Sequence, residues 1–384
     1  MRVCMVVYKF PPLYGGAGRQ ALRLAGHLKR RGISVLILTA RQRKDLSSGE
    51  TLDEIPVVRL PVFGIGRMRP MSFLLAASWH LIRHGRQYDI FHVHGAYLRI
   101  VPVVAVARLL GKTVVVKMTL QGSDDPASSA KRRLGVLLRW ALERVDAVVS
   151  ISSDMTTVSR DSGLPEKKLV QIPNGVMTDS FRPVANDERE RFRARLGVPH
   201  DAEVAVYVGF VGRRKGADTL LCAWERVVRR RPKAFLLLVG PLREGAPEGA
   251  PSMQTLVSSS ARTLALGETE NVDECLKASD VFVLPSRSEG LANALLEAMS
   301  TGLACIASNI AGMCDVIRDG RDGLLVPPGE PELLADSIVG LLEDRAKRSE
   351  FGRLARKTIV DEYSIDAVAD KYASLYQRLI AGRR

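Results

Sequence analysis

Residues 281–308 read VFVLPSRSEGLANALLEAMSTGLACIAS, and this stretch decides the fold class. The apolar runs Val281–Pro285 and Leu303–Ala307 have the length and composition of buried strands. Helix-forming residues fill the segment between them. A strand, a helix and a second strand in this order are typical of a parallel sheet with helices packed on its faces.

The same alternation recurs along the rest of the chain. It breaks at Gln171–Arg182 (QIPNGVMTDSFR), where Pro, Asn and Gly predict an interdomain linker. Because 384 residues are about twice what one core usually serves, we expect an α/β protein with two doubly wound, Rossmann-like domains. A mobile loop is predicted at Arg243–Ser260, which is rich in Pro, Gly and Ser. The other predicted strands are Val3–Val7, Ser34–Leu38, Ile90–Val93, Thr113–Lys117, Asp146–Ser150, Ala205–Gly209, Phe235–Gly240 and Gly323–Val326, and the predicted helices include Arg19–Arg31 and Ala367–Ile380.

Positive charge is concentrated in one half of the chain. The 56 Lys+Arg and 42 Asp+Glu give a formal charge of +14. Residues 1–180 hold 27 Lys+Arg and 13 Asp+Glu, whereas residues 181–384 hold 29 of each. The whole excess therefore lies in the first half, which indicates that this half meets an anionic partner.

The sequence does not predict a membrane span. The most apolar candidates, Met71–Ile82 and Tyr97–Leu110, are shorter than the roughly 18 to 20 residues that a span needs, and polar residues interrupt them. The first residues enter a strand-like run without a signal-peptide cleavage site. Five widely spread cysteines favour reduced thiols, and no pair has the spacing of zinc ligands. We therefore expect a cytoplasmic protein that can lie peripherally on the inner face of the cell membrane.

A glycine-rich loop follows the first predicted strand. In KFPPLYGGAGRQ, Gly15, Gly16 and Gly18 allow the backbone to approach an anion at a helix N-terminus. The alternative is a turn that only joins the strand to the helix. The loop lacks the G-x-G-x-x-G pattern of a dinucleotide site, so no dinucleotide cofactor is expected.

Two further strand ends in the first half carry candidate catalytic side chains. In IFHVHG, His92 fits a core histidine, whereas His94 at the end of the strand is the functional candidate. No third metal ligand stands near this H-x-H, so no metal is expected. In KMTLQGSDD, Asp124 and Asp125 are either site carboxylates or turn and capping residues.

In the second half, VGFVGRRKG places three cations between a predicted strand and a helix. Arg213, Arg214 and Lys215 can neutralise a diphosphate leaving group there, although a solvated basic turn has the same composition.

Downstream, Glu289 lies in a loop and Glu297 lies in the following helix, roughly 12 Å away at helical rise. That distance is about the span between the two sugars of a nucleotide sugar. An acidic helix start with a surface glutamate is the alternative for an isolated acid pair of this spacing.

The helix that contains Glu297 offers unpaired N–H groups at its N-terminus, and these can bind a pyrophosphate. The residues that form this N-terminus are Gly290, Leu291, Ala292, Asn293 and Ala294.

These segments resemble the family-four retaining glycosyltransferases. The run SRSEGLANALLEAMSTGLACIASNIAGMCDVIRDGRDGLLVPPG carries the E-x7-E pattern, and YGGAG, FHVHG, IPNGV and VGFVGRRKG fall in the family's order. The resemblance implies the GT-B fold, in which two Rossmann-like domains face each other across a cleft. It implies an acceptor-binding domain at residues 1–175, a nucleotide-sugar-binding domain at 176–364 and a C-terminal helix at 365–384 that crosses back to the first domain.

The resemblance also implies a role for individual residues, with retained anomeric configuration and no required metal. Gly16 would meet the donor phosphate, and His94 the transferred sugar or its leaving side. Lys215 would bind the diphosphate, and Glu289 and Glu297 would bind the two sugars.

The sequence departs from the family at two positions. Phe210 stands where members often have an Arg, so either Arg213 or Arg214 supplies the missing charge or donor binding is weaker than usual. Gln121 stands where many members have His before the loop glycine.

The predicted function is therefore transfer of a sugar from a nucleotide sugar, with a UDP-sugar favoured and GDP-mannose as the other donor considered. The predicted acceptor is a lipid-linked or cell-surface glycan, such as a polyprenyl-linked one, and loops at Arg41–Glu54 and Gly64–Met71 are expected to line its side. The basic first domain would contact an anionic membrane. The alternatives are a nucleotide-sugar 2-epimerase on the same fold and a basic nucleic-acid-binding protein, although no nucleic-acid-binding module is present and no nucleic acid is expected.

Overall fold

The computed structural model of the protein describes residues 1–13, 15–66, 68–97, 100–119, 135–243 and 251–383. It divides into two compact units. Unit 1 consists of Met1–Gly175 with Ile365–Arg384, and unit 2 consists of Val176–Ser364. Each unit has one largely parallel sheet and several helices, so the predicted class of two Rossmann-like α/β domains is confirmed.

Unit 1 is built on an eight-stranded sheet. Its elements are β1 (Arg2–Val7), α1 (Gly16–Arg30), β2 (Ser34–Arg41), β3 (Gly49–Leu52), β4 (Ile55–Pro61), α2 (Met68–His84), β5 (Ile90–His94), α3 (Ile100–Leu109), β6 (Thr113–Lys117), α4 (Gly135–Leu142), β7 (Ala147–Ser150), α5 (Ser153–Asp161) and β8 (Leu169–Gln171), with 3₁₀ turns at Gly85–Gln87 and Glu166–Lys168. The strand order is β3-β4-β2-β1-β5-β6-β7-β8. The central strands β5, β6 and β7 are buried along their whole length, which explains why most of their residues are apolar.

Two segments of unit 1 that the sequence predicts as loops contain regular structure over part of their length, so those two predictions are only partly correct. β3 lies inside the predicted loop Arg41–Glu54 and pairs antiparallel with β4. Asp53 and Glu54, which join the two strands, have φ of 47° and 62°, as a two-residue hairpin turn requires. The second loop, Gly64–Met71, ends in the first turn of α2, which begins at Met68.

Unit 2 is built on a six-stranded, fully parallel sheet. Its elements are α6 (Asn186–Leu196), β9 (Glu203–Val208), α7 (Ala217–Arg230), β10 (Ala234–Val239), α8 (Met253–Ser259), β11 (Thr263–Gly267), α9 (Val272–Lys277), β12 (Val281–Leu284), α10 (Asn293–Ser300), β13 (Ala304–Ser308), α11 (Ala311–Cys314), β14 (Leu324–Val326), α12 (Pro331–Glu343) and α13 (Arg345–Thr358), with a 3₁₀ turn at Arg213–Lys215 and a π-helical turn at Ile359–Tyr363. The strand order is β11-β10-β9-β12-β13-β14.

One helix of unit 2 corrects the predicted mobile loop Arg243–Ser260. α8 occupies Met253–Ser259, and the Ser252 hydroxyl caps it by accepting a hydrogen bond of 3.0 Å from the Thr255 N–H. Serine at an N-cap satisfies an otherwise unpaired N–H. The cluster of serines that suggests a loop therefore also contains a helix start.

The last helix, α14 (Ile365–Ala381), belongs to unit 1 and packs on α1. Asp366 Oδ1 lies 2.9 Å from Nδ1 of His27, and Arg31 Nε donates to Asp370 over 2.6 Å. The start of α14 also packs closely on Gly175, the last residue of the segment Met1–Gly175. A Cβ on Gly175 would lie 2.8 Å from Cα of Ile365. These contacts attach the last helix of the chain to α1 and to Gly175.

Two further properties of the described residues bear on location and chemistry. No helix among them is both long and apolar enough to cross a bilayer. Cys4, Cys275 and Cys305 are buried, Cys222 and Cys314 are exposed, and all five are free thiols.

Candidate active site

The topology of unit 2 brings two predicted loops together. The strand order reverses between β9 and β12, because the chain runs outward through β10 and β11 and then returns to β12 on the other side of β9. In open parallel sheets, ligands bind at the carboxyl ends of the strands where the order reverses. The basic turn follows β9 and the Glu289 loop follows β12, so both lie at this switch point.

The basic turn is pressed against the end of β12. Gly216 has a φ of 70°, and a Cβ added there would lie 1.8 Å from the carbonyl oxygen of Pro285. Only glycine fits this position without moving the backbone. The two loops are also hydrogen-bonded, since the Arg287 N–H donates to the Arg214 carbonyl over 3.0 Å and Arg214 Nη1 donates to the Ser288 carbonyl over 2.8 Å.

Lys215 and Glu289 form an ion pair between Nζ and Oε1. The Ser286 hydroxyl donates a second hydrogen bond to Glu289 Oε1 over 2.9 Å. Both charged side chains are shielded from water, with 15% of the Lys215 side chain and 6% of the Glu289 side chain exposed. A buried carboxylate is stable when a cation and a hydrogen-bond donor both satisfy it, so Lys215 and Ser286 hold the Glu289 side chain in place.

The two arginines of the turn have different partners. Arg213 Nη1 lies 3.3 Å from Asp218 Oδ2, and Arg213 Nη2 donates to the Pro251 carbonyl. Arg287 also reaches Asp218, over 2.6 Å and 3.0 Å. Arg213 is thus committed to a network around the first turn of α7, whereas Arg214 helps to join the two loops.

Arg243 is a site residue that the sequence motifs do not predict. Cζ of Arg243 lies 3.5 Å from the centroid of the Phe210 ring, and the Arg243 N–H donates to the Val211 carbonyl over 2.9 Å. This arginine is exposed and follows β10, the strand next to β9. The structure therefore places a guanidinium directly over the aromatic ring that departs from the family pattern. The available signal was a basic residue four positions beyond the end of β10, but it fell in the predicted mobile loop.

The N-terminus of α10 lies where the sequence predicts a helix start. The helix begins at Asn293 with Ala292 as its N-cap, no side chain caps it, and no acidic residue lies in its first turn. Leu291 and Ala292 are buried, and Gly290 packs so closely that a Cβ on Gly312 would lie 2.3 Å from its carbonyl oxygen. The predicted residues Gly290, Leu291, Ala292, Asn293 and Ala294 form one continuous loop and helix start, and Glu297 lies one turn further on, half-buried.

The glycines of the first loop in unit 1 have distinct surroundings. Gly15 is the N-cap of α1, and Gly16 is its first residue and exposed. A Cβ on Gly18 would lie 2.5 Å from the Lys9 carbonyl oxygen, whereas nothing lies within 4 Å of a Cβ on Gly15. Gly18 is therefore required for packing of α1 on its loop, and the space at Gly15 is open.

His94 lies at the end of β5 in a buried polar cluster. Its ring centroid is 4.4 Å from that of His92, and Lys117 is its partner in the register of β5 and β6. Burial, with the charges of His92 and Lys117, lowers the pKa of His94 well below its usual value, so its imidazole is neutral. Among the described residues neither ring nitrogen of His94 has a hydrogen-bond partner, although the residue is only 6% exposed.

His92 fits the predicted role of a core histidine, since it is fully buried and its Nδ1 lies 2.6 Å from the Tyr376 hydroxyl of α14. Burial lowers the pKa of His92 to about 3 and that of Lys117 to about 7. Lys117 is a further residue that the motifs do not predict, although a lysine at the end of the apolar run TVVVK is a signal in the sequence.

Three predicted residues cannot be placed in this geometry. Asp124, Asp125 and Gln121 lie outside the described residues. Among the residues that are described, no group of three His, Cys, Asp or Glu side chains is arranged to hold a metal ion.

Family models identify both halves of the chain. Residues 188–358 match the model for glycosyl transferases group 1, and residues 15–175 match the model for a glycosyl transferase 4-like domain. The chain therefore belongs to the family-four-like glycosyltransferases, and the resemblance carried by its motifs is confirmed.

Relatives with assigned activities match nearly the same length. The N-acetyl-alpha-D-glucosaminyl L-malate synthase of Bacillus anthracis is 24% identical over 367 residues, which cover 95% of this chain and 94% of the relative. The UDP-Gal:alpha-D-GlcNAc-diphosphoundecaprenol alpha-1,3-galactosyltransferase of Escherichia coli is 28% identical over 328 residues, covering 83% of this chain and 82% of the relative.

Solved structures support the fold. Anabaena HepE, crystallised with UDP and glucose, matches with a TM-score of 0.81 and 18% identity, covering 98% of this chain and 100% of HepE. The chain thus has the GT-B fold, and its activity is that of a glycosyltransferase that uses a nucleotide-sugar donor.

Proposed function

We propose that the protein transfers a sugar from a UDP-sugar to a lipid-linked or cell-surface glycan, with retention of the anomeric configuration. GDP-mannose is the second donor considered. The Escherichia coli relative, whose name specifies a UDP-sugar and a diphosphoundecaprenol-linked acceptor, supports this choice of donor and acceptor classes.

The observation that carries the proposal is the Lys215–Glu289 ion pair at the switch point of unit 2. Lysine has three N–H donors, so pairing with one carboxylate leaves others for a diphosphate. The N-terminus of α10, with no acidic residue in its first turn, adds positive potential in the same unit. A diphosphate gains negative charge as it leaves, and fixed positive groups stabilise that charge. Glu289 and Glu297 would accept hydrogen bonds from the hydroxyl groups of the transferred sugar and the ribose.

The proposed reaction breaks the bond between the anomeric carbon and the diphosphate oxygen. A hydroxyl oxygen of the acceptor forms the new bond on the face from which the diphosphate leaves, and its proton passes to the departing phosphate oxygen or to solvent. No oxidant or reductant takes part, and we propose that no metal is required.

Unit 1 supplies the other proposed roles. The space around Gly15 is open and Gly16 is exposed at the N-terminus of α1, which suits the approach of a donor phosphate. His94 is neutral and buried, so its ring nitrogens can donate and accept hydrogen bonds to an uncharged sugar. Asp124 is retained as a catalytic candidate on sequence grounds alone. The residues 1–175 with the returning helix would bind the acceptor, and residues 176–364 the donor.

We place the reaction in the cytoplasm, with unit 1 peripheral on the inner face of the cell membrane, as part of polysaccharide biosynthesis. Support comes from the +14 formal charge, all of which lies in residues 1–180. An anionic surface or a diphosphate-linked lipid acceptor is the partner that such a charge attracts.

A nucleotide-release screen over UDP- and GDP-sugars, with and without polyprenyl-linked acceptors, tests this function. Glu289→Gln keeps the shape of the side chain and removes its charge, so turnover should fall by about a hundredfold or more. Glu332→Gln removes the charge of an exposed glutamate on α12 and should leave turnover unchanged. Full activity of Glu289→Gln would show that this site does not perform the reaction.

Incubation with a nucleotide sugar alone, without acceptor, distinguishes the transferase from the nucleotide-sugar 2-epimerase. An epimerised nucleotide sugar formed without acceptor would indicate a 2-epimerase. The two family models and the relatives above give no support to that alternative or to nucleic-acid binding.

A further inference from the structure

Helix α2 of unit 1 has two apolar faces. Its buried face, with Phe73, Leu74, Ala77 and Leu81, packs toward α3 and β4. A second set of apolar side chains recurs every three or four residues and is exposed. It consists of Met68, Met71, Leu75, Trp79 and Ile82.

This second face is not the usual scatter of single exposed apolar residues. Among the described residues, thirteen large apolar side chains are exposed, and seven of them lie between Phe63 and Ile82. Leu75 is 74% exposed and Trp79 is 66% exposed. Phe63 and Ile65 are also exposed, in the loop before the helix, and backbone groups of both are hydrogen-bonded to α2. A contiguous exposed apolar surface of this kind is typical of an interaction site.

The charges around this exposed apolar face of α2 indicate the kind of partner that it binds. Residues 55–88 contain five arginines and no Asp or Glu. Arg69 and Arg83, near the two ends of α2, are exposed, and no carboxylate of the described residues pairs with them. A helix with an exposed apolar face and arginines beside it is typical of a segment that lies in the plane of a membrane interface. Tryptophan is enriched at that depth, because its ring is apolar and its N–H is polar.

We infer that the α2 stripe, defined as Phe63, Ile65, Met68, Met71, Leu75, Trp79 and Ile82, docks unit 1 on an anionic lipid bilayer. From Met68 to Ile82 the helix offers roughly 21 Å of apolar contact. A second copy of the chain fits the surface less well, since a two-fold contact would bring Arg69 and Arg83 of both copies together without a neutralising acid in the segment. The α2 stripe is a definite surface of unit 1 for the proposed membrane contact. Only the reason for docking, delivery of the enzyme to its acceptor, rests on the proposed function.

Flotation of the whole protein with phosphatidylcholine vesicles, with and without phosphatidylglycerol, tests the inference without nucleotide sugar or acceptor. The wild type should float with phosphatidylglycerol-containing vesicles, and less so as salt rises. Leu75→Ser/Trp79→Ser should weaken this binding by about tenfold or more, because interfacial binding scales with the apolar area buried. Leu333→Ser/Val360→Ser, which alters two exposed apolar residues of unit 2, is the matched control and should bind as the wild type does.

A charge variant separates the two contributions. Arg69→Ser/Arg83→Ser should reduce binding by about fivefold per residue and flatten its salt dependence. Unchanged thermal unfolding midpoints would establish that all variants fold, as expected for exposed positions.

Three outcomes would overturn the inference. In the first, the wild type binds no vesicles. In the second, the Leu75→Ser/Trp79→Ser variant binds vesicles as well as the wild type does. In the third, the wild type is a dimer that binds no vesicles, and the variant is a monomer. Vesicle binding without turnover of any donor would leave the docking surface standing and count against the proposed function alone.

Discussion

The guanidinium of Arg243 lies over the ring of Phe210, with 3.5 Å between Cζ and the ring centroid. The two residues follow neighbouring strands, β10 and β9, and a hydrogen bond from the Arg243 N–H to the Val211 carbonyl holds the loops together. The aromatic ring therefore orients a cation beside position 210, where the resemblance to the family implies an arginine. Since Arg213 is paired with Asp218, Arg243 is the better candidate to replace that missing charge.

Arg243→Ala should raise the KM for the donor about tenfold, because a charge-assisted hydrogen bond to a phosphate would be lost. Steady-state kinetics with the preferred nucleotide sugar measure this effect. Arg243→Lys should recover only part of it, since an ammonium neither stacks on the ring nor binds two phosphate oxygens at once.

Two variants test whether Phe210 acts through Arg243. Phe210→Leu should raise the donor KM about threefold by removing the cation–π contact. The double variant Phe210→Arg/Arg243→Ala should return the KM towards the wild-type value. Arg229→Ala, an exposed arginine on α7, serves as the control. An Arg243→Ala enzyme with unchanged KM would leave the guanidinium without a role in donor binding.

Gly216→Ala should destabilise unit 2 much more than Gly197→Ala. Both glycines have a similar positive φ, 70° and 72°. A Cβ on Gly216 would collide with the Pro285 carbonyl at 1.8 Å, whereas nothing lies within 4 Å of a Cβ on Gly197. The expected loss in free energy of unfolding is about 1 kcal/mol for Gly197→Ala and about 3 kcal/mol for Gly216→Ala.

Denaturant unfolding of the two variants measures this difference, and donor binding adds a second readout. Gly216→Ala should also raise the donor KM, since the backbone shift displaces the turn that carries Lys215. Equal losses of stability would mean that the turn is not pressed against the end of β12.

The parts of the fold that the sequence predicts are those with a strong local pattern. Buried parallel strands such as β6 and β12 have continuous apolar runs, and the predicted and observed bounds of β6 are identical. β3 escapes prediction because its residues, GETL, are partly exposed at the sheet edge and carry no such run. The segment of α8 reads as loop because serine is also a favoured capping residue.

The candidate site shows the same division. The motifs VGFVGRRKG and SEGLANALLEA predict Lys215, Glu289 and the start of α10. Each motif contains both the functional side chain and the local sequence pattern that positions it. Arg243 and Lys117 depend on the order of strands in each sheet, which places residues distant in sequence beside Phe210 and His94. A single sequence contains the side chains but does not contain that order.

Acid should unfold the protein more easily because of His92 and His94. Burial lowers the pKa of His92 to about 3 and that of His94 well below its usual value. Below about pH 6.5 the unfolded chain binds protons at these positions while the folded chain does not, so stability falls as the pH falls. Each unit of pH below 6.5 should cost about 1.4 kcal/mol per histidine until the folded pKa is reached.

Urea unfolding at pH 7 and pH 5 measures that slope. His94→Gln should reduce the loss between the two pH values by roughly half, because one of the two buried imidazoles is gone. His200→Gln changes a histidine whose side chain is 92% exposed and should leave the loss as it is in the wild type. An identical loss in His94→Gln and the wild type would contradict the buried, neutral state of His94.

Lys117→Met should stabilise the protein, and more so near neutral pH than in alkali. Lys117 is 3% exposed, and burial lowers its pKa from 10.5 to about 7. Between about pH 7 and pH 10.5 the unfolded chain keeps the lysine proton and the folded chain releases it, so the stability of the wild type rises with pH across this range. The advantage of Lys117→Met should therefore be about 3 kcal/mol at pH 8 and should shrink by about 1.4 kcal/mol for each further pH unit. Denaturant unfolding at pH 8 and pH 9.5 gives both values, and Lys167→Met, at an exposed lysine of unit 1, should show no such trend. An equal advantage of Lys117→Met at both pH values would show that Lys117 keeps its proton in the folded protein. That result would contradict a neutral amine next to His94.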